Sequence, residues 1–146
     1  MKVLLQRVRQ ASVDIAGQRV ASTGSGLLAY VGVEPGDGPA EVEWLARKTA
    51  GLRIFPDKDG IKNMHRNVID VSGEVLVVSQ FTLAADTSRG MRPGFTHAAA
   101  PEQAESLYEA FVTRLNQLIP VKTGQFGADM QVSSINDGPV TILLER

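Results

Sequence analysis

The chain has 146 residues, 43% of them apolar, and a formal net charge of −1 from 15 Lys and Arg against 16 Asp and Glu. That length suits one domain spanning residues 1–146, large enough to bury roughly 68–70% of its unfolded surface. The lack of cysteine excludes disulfides, thiolate zinc sites and a cysteine nucleophile, and without a global basic field any nucleic-acid contact must rest on local patches.

Met1-Lys2-Val3-Leu4-Leu5 is followed at once by Gln6-Arg7. This predicts a cytoplasmic protein with no signal peptide and no membrane span, since no apolar run approaches the roughly 20 residues a bilayer needs. Residues alternate from Val3 to Ile15, Ala16-Gly17-Gln18 suits a turn, and Arg19–Ser22 returns, which predicts a hairpin. Arg7 and Arg9 fall on one face of its first strand. Leu27–Val33 reads as a central apolar strand, Glu34–Gly38 as a turn. Pro39 then opens a helix in which Val42, Leu45, Ala46 and Thr49 share a face before Gly51. Between Arg53 and Asp70 the pattern is weak, with Arg53-Ile54-Phe55 a short strand candidate. Asp57-Lys58-Asp59-Gly60 reads as a turn rather than a calcium loop, because the twelve-position ligand pattern is missing.

Glu74-Val75-Leu76-Val77-Val78 is the most strand-like run, and it continues into Ser79-Gln80-Phe81-Thr82-Leu83, where hydroxyl and amide side chains mark the exit from the core. Strand alternation there places Ser79, Phe81 and Leu83 on one face, Gln80 and Thr82 on the other. A loop carrying Arg89 and Arg92 follows, both candidates for phosphate contact alongside Arg7 and Arg9, with ion pairing to the acidic residues as the plainer role for each. From Pro101 to Pro120, the recurrence of Ala104, Leu107, Tyr108, Phe111, Val112, Leu115, Leu118 and Ile119 predicts a second helix facing the core. Lys122–Phe126, Met130–Ile135 and Val140–Glu145 read as strands. The fold expected is α/β, with a mostly antiparallel or mixed sheet and two main helices.

Asn136-Asp137-Gly138-Pro139-Val140-Thr141 supports two readings. Asp-Gly between apolar runs is an ordinary hairpin signal. Alternatively, Gly138 permits close approach to the main chain and Pro139 fixes its own φ, so the pair can present rigid carbonyls to a ligand, on a peptide bond expected to be cis.

Conventional catalytic machinery is missing. His65 and His97 are the only histidines, and neither sits in a triad, metal-ligand or nucleophile-elbow context, so both read as structural or surface groups. Gly24-Ser25-Gly26 lacks the residues of a phosphate loop. Thr82 is a candidate nucleophile without an evident base, Asp86 being the only carboxylate close in sequence.

Ser79–Leu83 and Asn136–Thr141, with Gly90-Met91-Arg92-Pro93, Ala128–Ser133, Gln6-Arg7-Val8 and Ala11-Ser12-Val13 in this order, closely resemble the D-aminoacyl-tRNA deacylase family over essentially the whole chain. The resemblance implies hydrolysis of the ester in D-aminoacyl-tRNA and rejection of the L form. It also implies a site built on main-chain groups without metal or cofactor, the 2′-hydroxyl of the terminal adenosine assisting water. An activated ester needs only oxyanion stabilisation, for which the Phe81 and Thr82 N–H groups are candidates, with the Thr82 side chain secondary. Ser79, Gln80, Gly138 and Pro139 are then substrate-binding, and Met130 lines the pocket or belongs to the core.

If the Gly138 and Pro139 carbonyls accept the substrate ammonium and close one direction at Cα, an L side chain is excluded while glycine is admitted. Glycine mischarged on tRNA(Ala) thus becomes a second substrate. By resemblance Arg7 braces this loop, and the loop acts in trans within a homodimer. Two other classes stay open. A non-catalytic RNA-binding module would need a stacking surface, of which aromatic residues mostly set in apolar patterns give little sign. A small-molecule esterase would use the same oxyanion donors and ignore tRNA.

Overall fold

A computed structural model describes residues 1–146. Strand β1 (Lys2–Ile15) turns through Ala16-Gly17, both at positive φ, into β2 (Gln18–Thr23), and β3 (Gly26–Gly32) follows. Helix α1 (Pro39–Gly51) leads through an irregular stretch to β4 (Glu74–Ser79), a short 3₁₀ turn (Phe81–Ala84), helix α2 (Pro101–Asn116), β5 (Val121–Thr123) and β6 (Gln131–Glu145). The sheet runs β2-β1-β3-β4-β5, with β6 pairing β1; β3, β4 and β5 are mutually parallel and all pairings of β1 antiparallel. The mixed α/β architecture expected from the sequence is therefore the one found.

Alternation in β1 and β3 feeds two apolar clusters. On one sheet face Val3, Leu5, Leu27, Ala29, Val31, Val75 and Val77 pack beneath both helices, which contribute Val42, Leu45, Ala46, Tyr108, Phe111 and Leu115. On the other face Val8, Ala11, Val13, Leu28, Leu76 and Val78 form a smaller cluster, joined by Met130 and Val132. β3 and β4 are thus covered on both sides, which is why they read as continuous apolar runs. No helix is long and apolar enough to cross a membrane.

Three expectations need correction. The strand expected to reach Leu83 ends at Ser79, and Phe81–Ala84 closes as a 3₁₀ turn with Leu83 N donating to the Gln80 carbonyl at 3.2 Å. The alternating faces assigned to Phe81, Thr82 and Leu83 fall with it. The strand expected over Lys122–Phe126 is limited to Val121–Thr123, after which Gln125 begins a turn. Met130–Ile135 and Val140–Glu145 are not two hairpin strands but the two arms of one strand, β6, both paired with β1. The hairpin reading of Asp137-Gly138 therefore fails. Arg53-Ile54-Phe55 contributes one isolated bridge, Phe55 to Arg66.

Candidate active site

The main-chain donors come from the way β4 ends. Val78 is buried, Gln80 N still bonds Val31 O at 2.7 Å, and the chain then tightens into the 3₁₀ turn. In such a turn the leading N–H groups have no acceptor within it. The first bond of this one belongs to Leu83, so the Phe81 and Thr82 amides stand ahead of it as open donors. Gly32 makes the tight seat: a side chain there would lie 3.0 Å from Gln80 O and from Leu83 Cβ.

Beside the turn opens a cavity of about 480 Å³, to which Ser79, Gln80, Phe81, Ala99, Pro101, Ala104, Phe126, Met130 and Val132 contribute. Its walls are mainly apolar. Phe81 is exposed and meets Phe95 edge-on at 5.0 Å between ring centroids. Gly124 gives Met130 room, since a Cβ at that position would collide with its Sδ. Met130 lines the cavity and packs on the smaller apolar cluster.

Thr82 has no general base in contact. Its hydroxyl accepts from the Gln80 side-chain amide. The carboxylate of Asp86 accepts from Ser88 N at 2.9 Å. Hydrogen bonds from the Ser88 amide and then its hydroxyl hold Asp86 below the usual carboxylate range, with His97 adding a smaller push in the same direction. A carboxylate so stabilised in its ionised form is a weak base.

The second half of the site is the excursion in β6. Gln6 faces Thr141 and Val8 faces Asn136, so Arg7 alone stands opposite the stretch from Asp137 to Val140, which must leave the ladder. Asn136 staples its base, donating from Nδ2 to Thr141 Oγ1 at 2.9 Å and accepting from Val140 N at 3.2 Å. Arg7 is buried; its Nε contacts Asp137 O at 3.2 Å and Asp137 Oδ2 at 3.1 Å, while Nη1 donates to Ile54 O at 2.6 Å. Arg9 Nε reaches the other Asp137 oxygen at 3.0 Å. Gly138 has φ +120° and the Gly138–Pro139 peptide is cis, with both residues exposed.

Ser79, Gln80, Phe81 and Met130 thus come together around one cavity, with Thr82 on the adjoining turn. Gly138 and Pro139 do not line that cavity within the chain. Arg7 lies under the loop rather than on the surface, and Arg9 is tied to Asp137, whereas Arg89 and Arg92 are exposed beyond the 3₁₀ turn. Sequence reasoning assigned no role to Asn136, Asp137 or Thr141 as staples of the loop, nor to Phe126, Ala99 and Ala104 as walls. An Asn-to-Thr spacing across Gly-Pro was the available sign for the first group; the second is set by tertiary packing alone.

The family model for D-Tyr-tRNA(Tyr) deacylase matches residues 4–145. The chain belongs to that family. Its relatives include proteins named D-aminoacyl-tRNA deacylase from Chlorobaculum parvum, 54% identical over 99% of this chain and 97% of the relative, and from Shewanella loihica, 54% identical over 99% of each. Membership makes the chain an aminoacyl-tRNA ester hydrolase. A solved structure titled c-Myc DNA Unwinding Element Binding Protein superposes with a TM-score of 0.95 at 41% identity, covering 100% of this chain and 99% of that one. Another, titled as a probable eukaryotic D-amino acid tRNA deacylase, gives a TM-score of 0.85 at 16% identity over 98% and 97%, a likeness of fold.

Proposed function

We propose that residues 1–146 act as one D-aminoacyl-tRNA deacylase domain that proofreads chirality with main-chain groups. Water attacks the ester carbonyl carbon, the resulting oxyanion is met by the Phe81 and Thr82 N–H groups, and the bond from that carbon to the ribose oxygen breaks. The departing oxygen takes up the proton released by water, relayed through the neighbouring 2′-hydroxyl of the terminal adenosine. Removal of one oxyanion-hole donor typically costs about 2.7–4 kcal/mol in transition-state stabilisation. The cavity takes the 3′ end of the tRNA, Ser79, Gln80 and Met130 contributing to its surface.

Selectivity is assigned to Gly138 and Pro139, whose carbonyls hold the substrate ammonium and leave no room for an L side chain at Cα. Glycine passes the same test, so glycyl-tRNA(Ala) is included as a substrate. In this reading the loop belongs to a second copy of the chain. Two observations support that arrangement: the loop projects from β6 instead of lining its own cavity, and the sheet beside it carries partly exposed apolar groups, Leu4 paired across strands with Tyr30 and Leu143. A tRNA substrate sets the work in the cytoplasm, where translation runs.

The observation that carries the proposal is the open pair of amides beside a largely apolar cavity, with no side-chain base on Thr82. Its test is release of D-tyrosine, L-tyrosine and glycine from their tRNAs by the purified protein. D-tyrosine and glycine release with L-tyrosyl-tRNA left intact is expected; equal rates for both enantiomers refute it. Light scattering must return a dimer, and a monomer with full activity would remove the trans loop.

A further inference from the structure

Helix α1 buries Val42, Leu45, Ala46, Thr49 and Ala50, so Trp44, Arg47 and Lys48, spaced i, i+3 and i+4, share a face turned away from the core. Trp44, the only tryptophan, is 37% exposed. The cations of Lys48 and Arg146 each stand 5.7 Å from its ring centroid. No carboxylate lies within 4.0 Å of either cation. Arg47 has only Glu43, at 3.8 Å, and that carboxylate is already gripped by both Nε and Nη2 of Arg114. The result is a positive cluster in a chain whose net charge is −1. It borders a groove of about 510 Å³ formed with Ala40 and with Glu43, whose charge is held by Arg114.

A larger polar groove, beside Arg9, Arg19 and Lys122, differs in the respect that matters. There each cation has a carboxylate within 3.4 Å, Asp137 (shared with Arg7), Asp14 and Glu74 respectively, whereas Lys48 and Arg146 have no such salt bridge.

A partly exposed indole beside Lys48, Arg146 and the weakly paired Arg47 matches the chemistry of a polyanion bearing flat rings: base on indole, phosphates on Arg47, Lys48 and Arg146. Its position fits the substrate. Gln103, beside the cavity residues Pro101 and Ala104, bonds Pro35 O at 3.1 Å and Asp37 O at 3.4 Å, joining the cavity end of α2 to the start of α1. Trp44 lies about one and a half turns beyond Pro39, the first residue of α1, roughly 7.5 Å along the axis. We infer that Trp44, Arg47, Lys48 and Arg146 form a second RNA-contact site, which holds the tRNA upstream of the 3′ end seated in the cavity. This rests on the deacylase reading for the identity of the RNA.

The test compares the wild type with Trp44→Leu, Trp44→Phe and the double variant Arg47→Gln/Lys48→Gln. Binding of uncharged tRNA is titrated against salt, and hydrolysis of D-tyrosyl-tRNA is measured beside that of the D-tyrosyl ester of adenosine. Trp44→Leu is expected to weaken tRNA binding roughly 5- to 150-fold, as for loss of one stacked base, with Trp44→Phe recovering most of it. The double variant should lower the slope of log affinity on log salt by about 1.4–1.8. On D-tyrosyl-tRNA the loss should fall on KM, with kcat and adenosine-ester hydrolysis unchanged. Unaltered tRNA binding with an unaltered salt slope overturns the inference, as do equal losses on both esters, which would mean damage to the fold. Should the wild type cleave neither ester, the deacylase reading falls. The uncharged-tRNA titration then still decides the patch, loss in the variants supporting it and no loss overturning it.

Discussion

A methyl group on Gly138 would meet Arg7 Nη2 at 2.8 Å and Val140 Cγ2 at 2.9 Å, and the residue's φ of +120° is costly for any L side chain. Gly138→Ala is therefore expected to lower unfolding free energy by about 1–3 kcal/mol, read by denaturant titration, while forcing Arg7 from its bonds to Asp137. Thr82 has the opposite outlook. Replacement by alanine removes a hydroxyl held by Gln80 and leaves both amides in place, so kcat/KM should stay within about ten-fold of the parent. Loss of a true nucleophile costs on the order of 10⁶, and a fall of that size would reassign Thr82. At this scale the sequence was informative about Gly138 and Pro139, because glycine and proline each restrict what the backbone can do, whereas Arg7 read as a phosphate contact or surface ion pair and its place under the loop was suggested only by the family resemblance. The apolar stripe of α1 left Trp44 off the buried face, but its cation neighbours Lys48 and Arg146 come together only in the fold.

The turn from β4 into Phe81–Ala84, which carries the proposed oxyanion donors, is also where local pattern misled. Alternation continues on paper through Leu83, but the strand loses its neighbours after Ser79: β3 pairs with it only to Val31 and β5 only to Val77. Pairing partners, which one strand's residues do not reveal, decided the boundary. β6 erred in the other sense. Asp137-Gly138 has hairpin chemistry, yet both flanking arms find β1, so the chain bulges and does not reverse. The helices were readable because their apolar periodicity is local. α2 also carries a test of its packing: Tyr108, whose hydroxyl donates to Val77 O at 3.1 Å, has its pKa pushed up to about 12 by burial. Between pH 10 and 12 the unfolded chain releases this proton while the folded one keeps it. Stability should accordingly fall across that window by about 2–3 kcal/mol. Tyr108→Phe should flatten the fall in a pH series of unfolding curves; an identical slope in the variant would remove Tyr108 as its source.

In the proposed arrangement the loop of one copy of the chain meets the cavity of another, since within one chain Gly138 and Pro139 do not line the cavity. Mixing supplies a direct check of the trans arrangement. A Gly138→Ala/Pro139→Ala protomer and a protomer whose cavity is filled by Ala104→Phe should each be defective alone and regain selective hydrolysis after unfolding and refolding together, since one hybrid site draws its loop and its cavity from intact halves. No recovery, despite hybrid dimers detected by mass, would place loop and cavity in one chain. The central claim is that handedness is read by fixed main-chain oxygens. It is tested most directly by the ratio of D-tyrosyl-tRNA to L-tyrosyl-tRNA hydrolysis in the folded Gly138→Ala/Pro139→Ala variant. A ratio collapsing towards one is the expected result, and a ratio unchanged from the parent would contradict it.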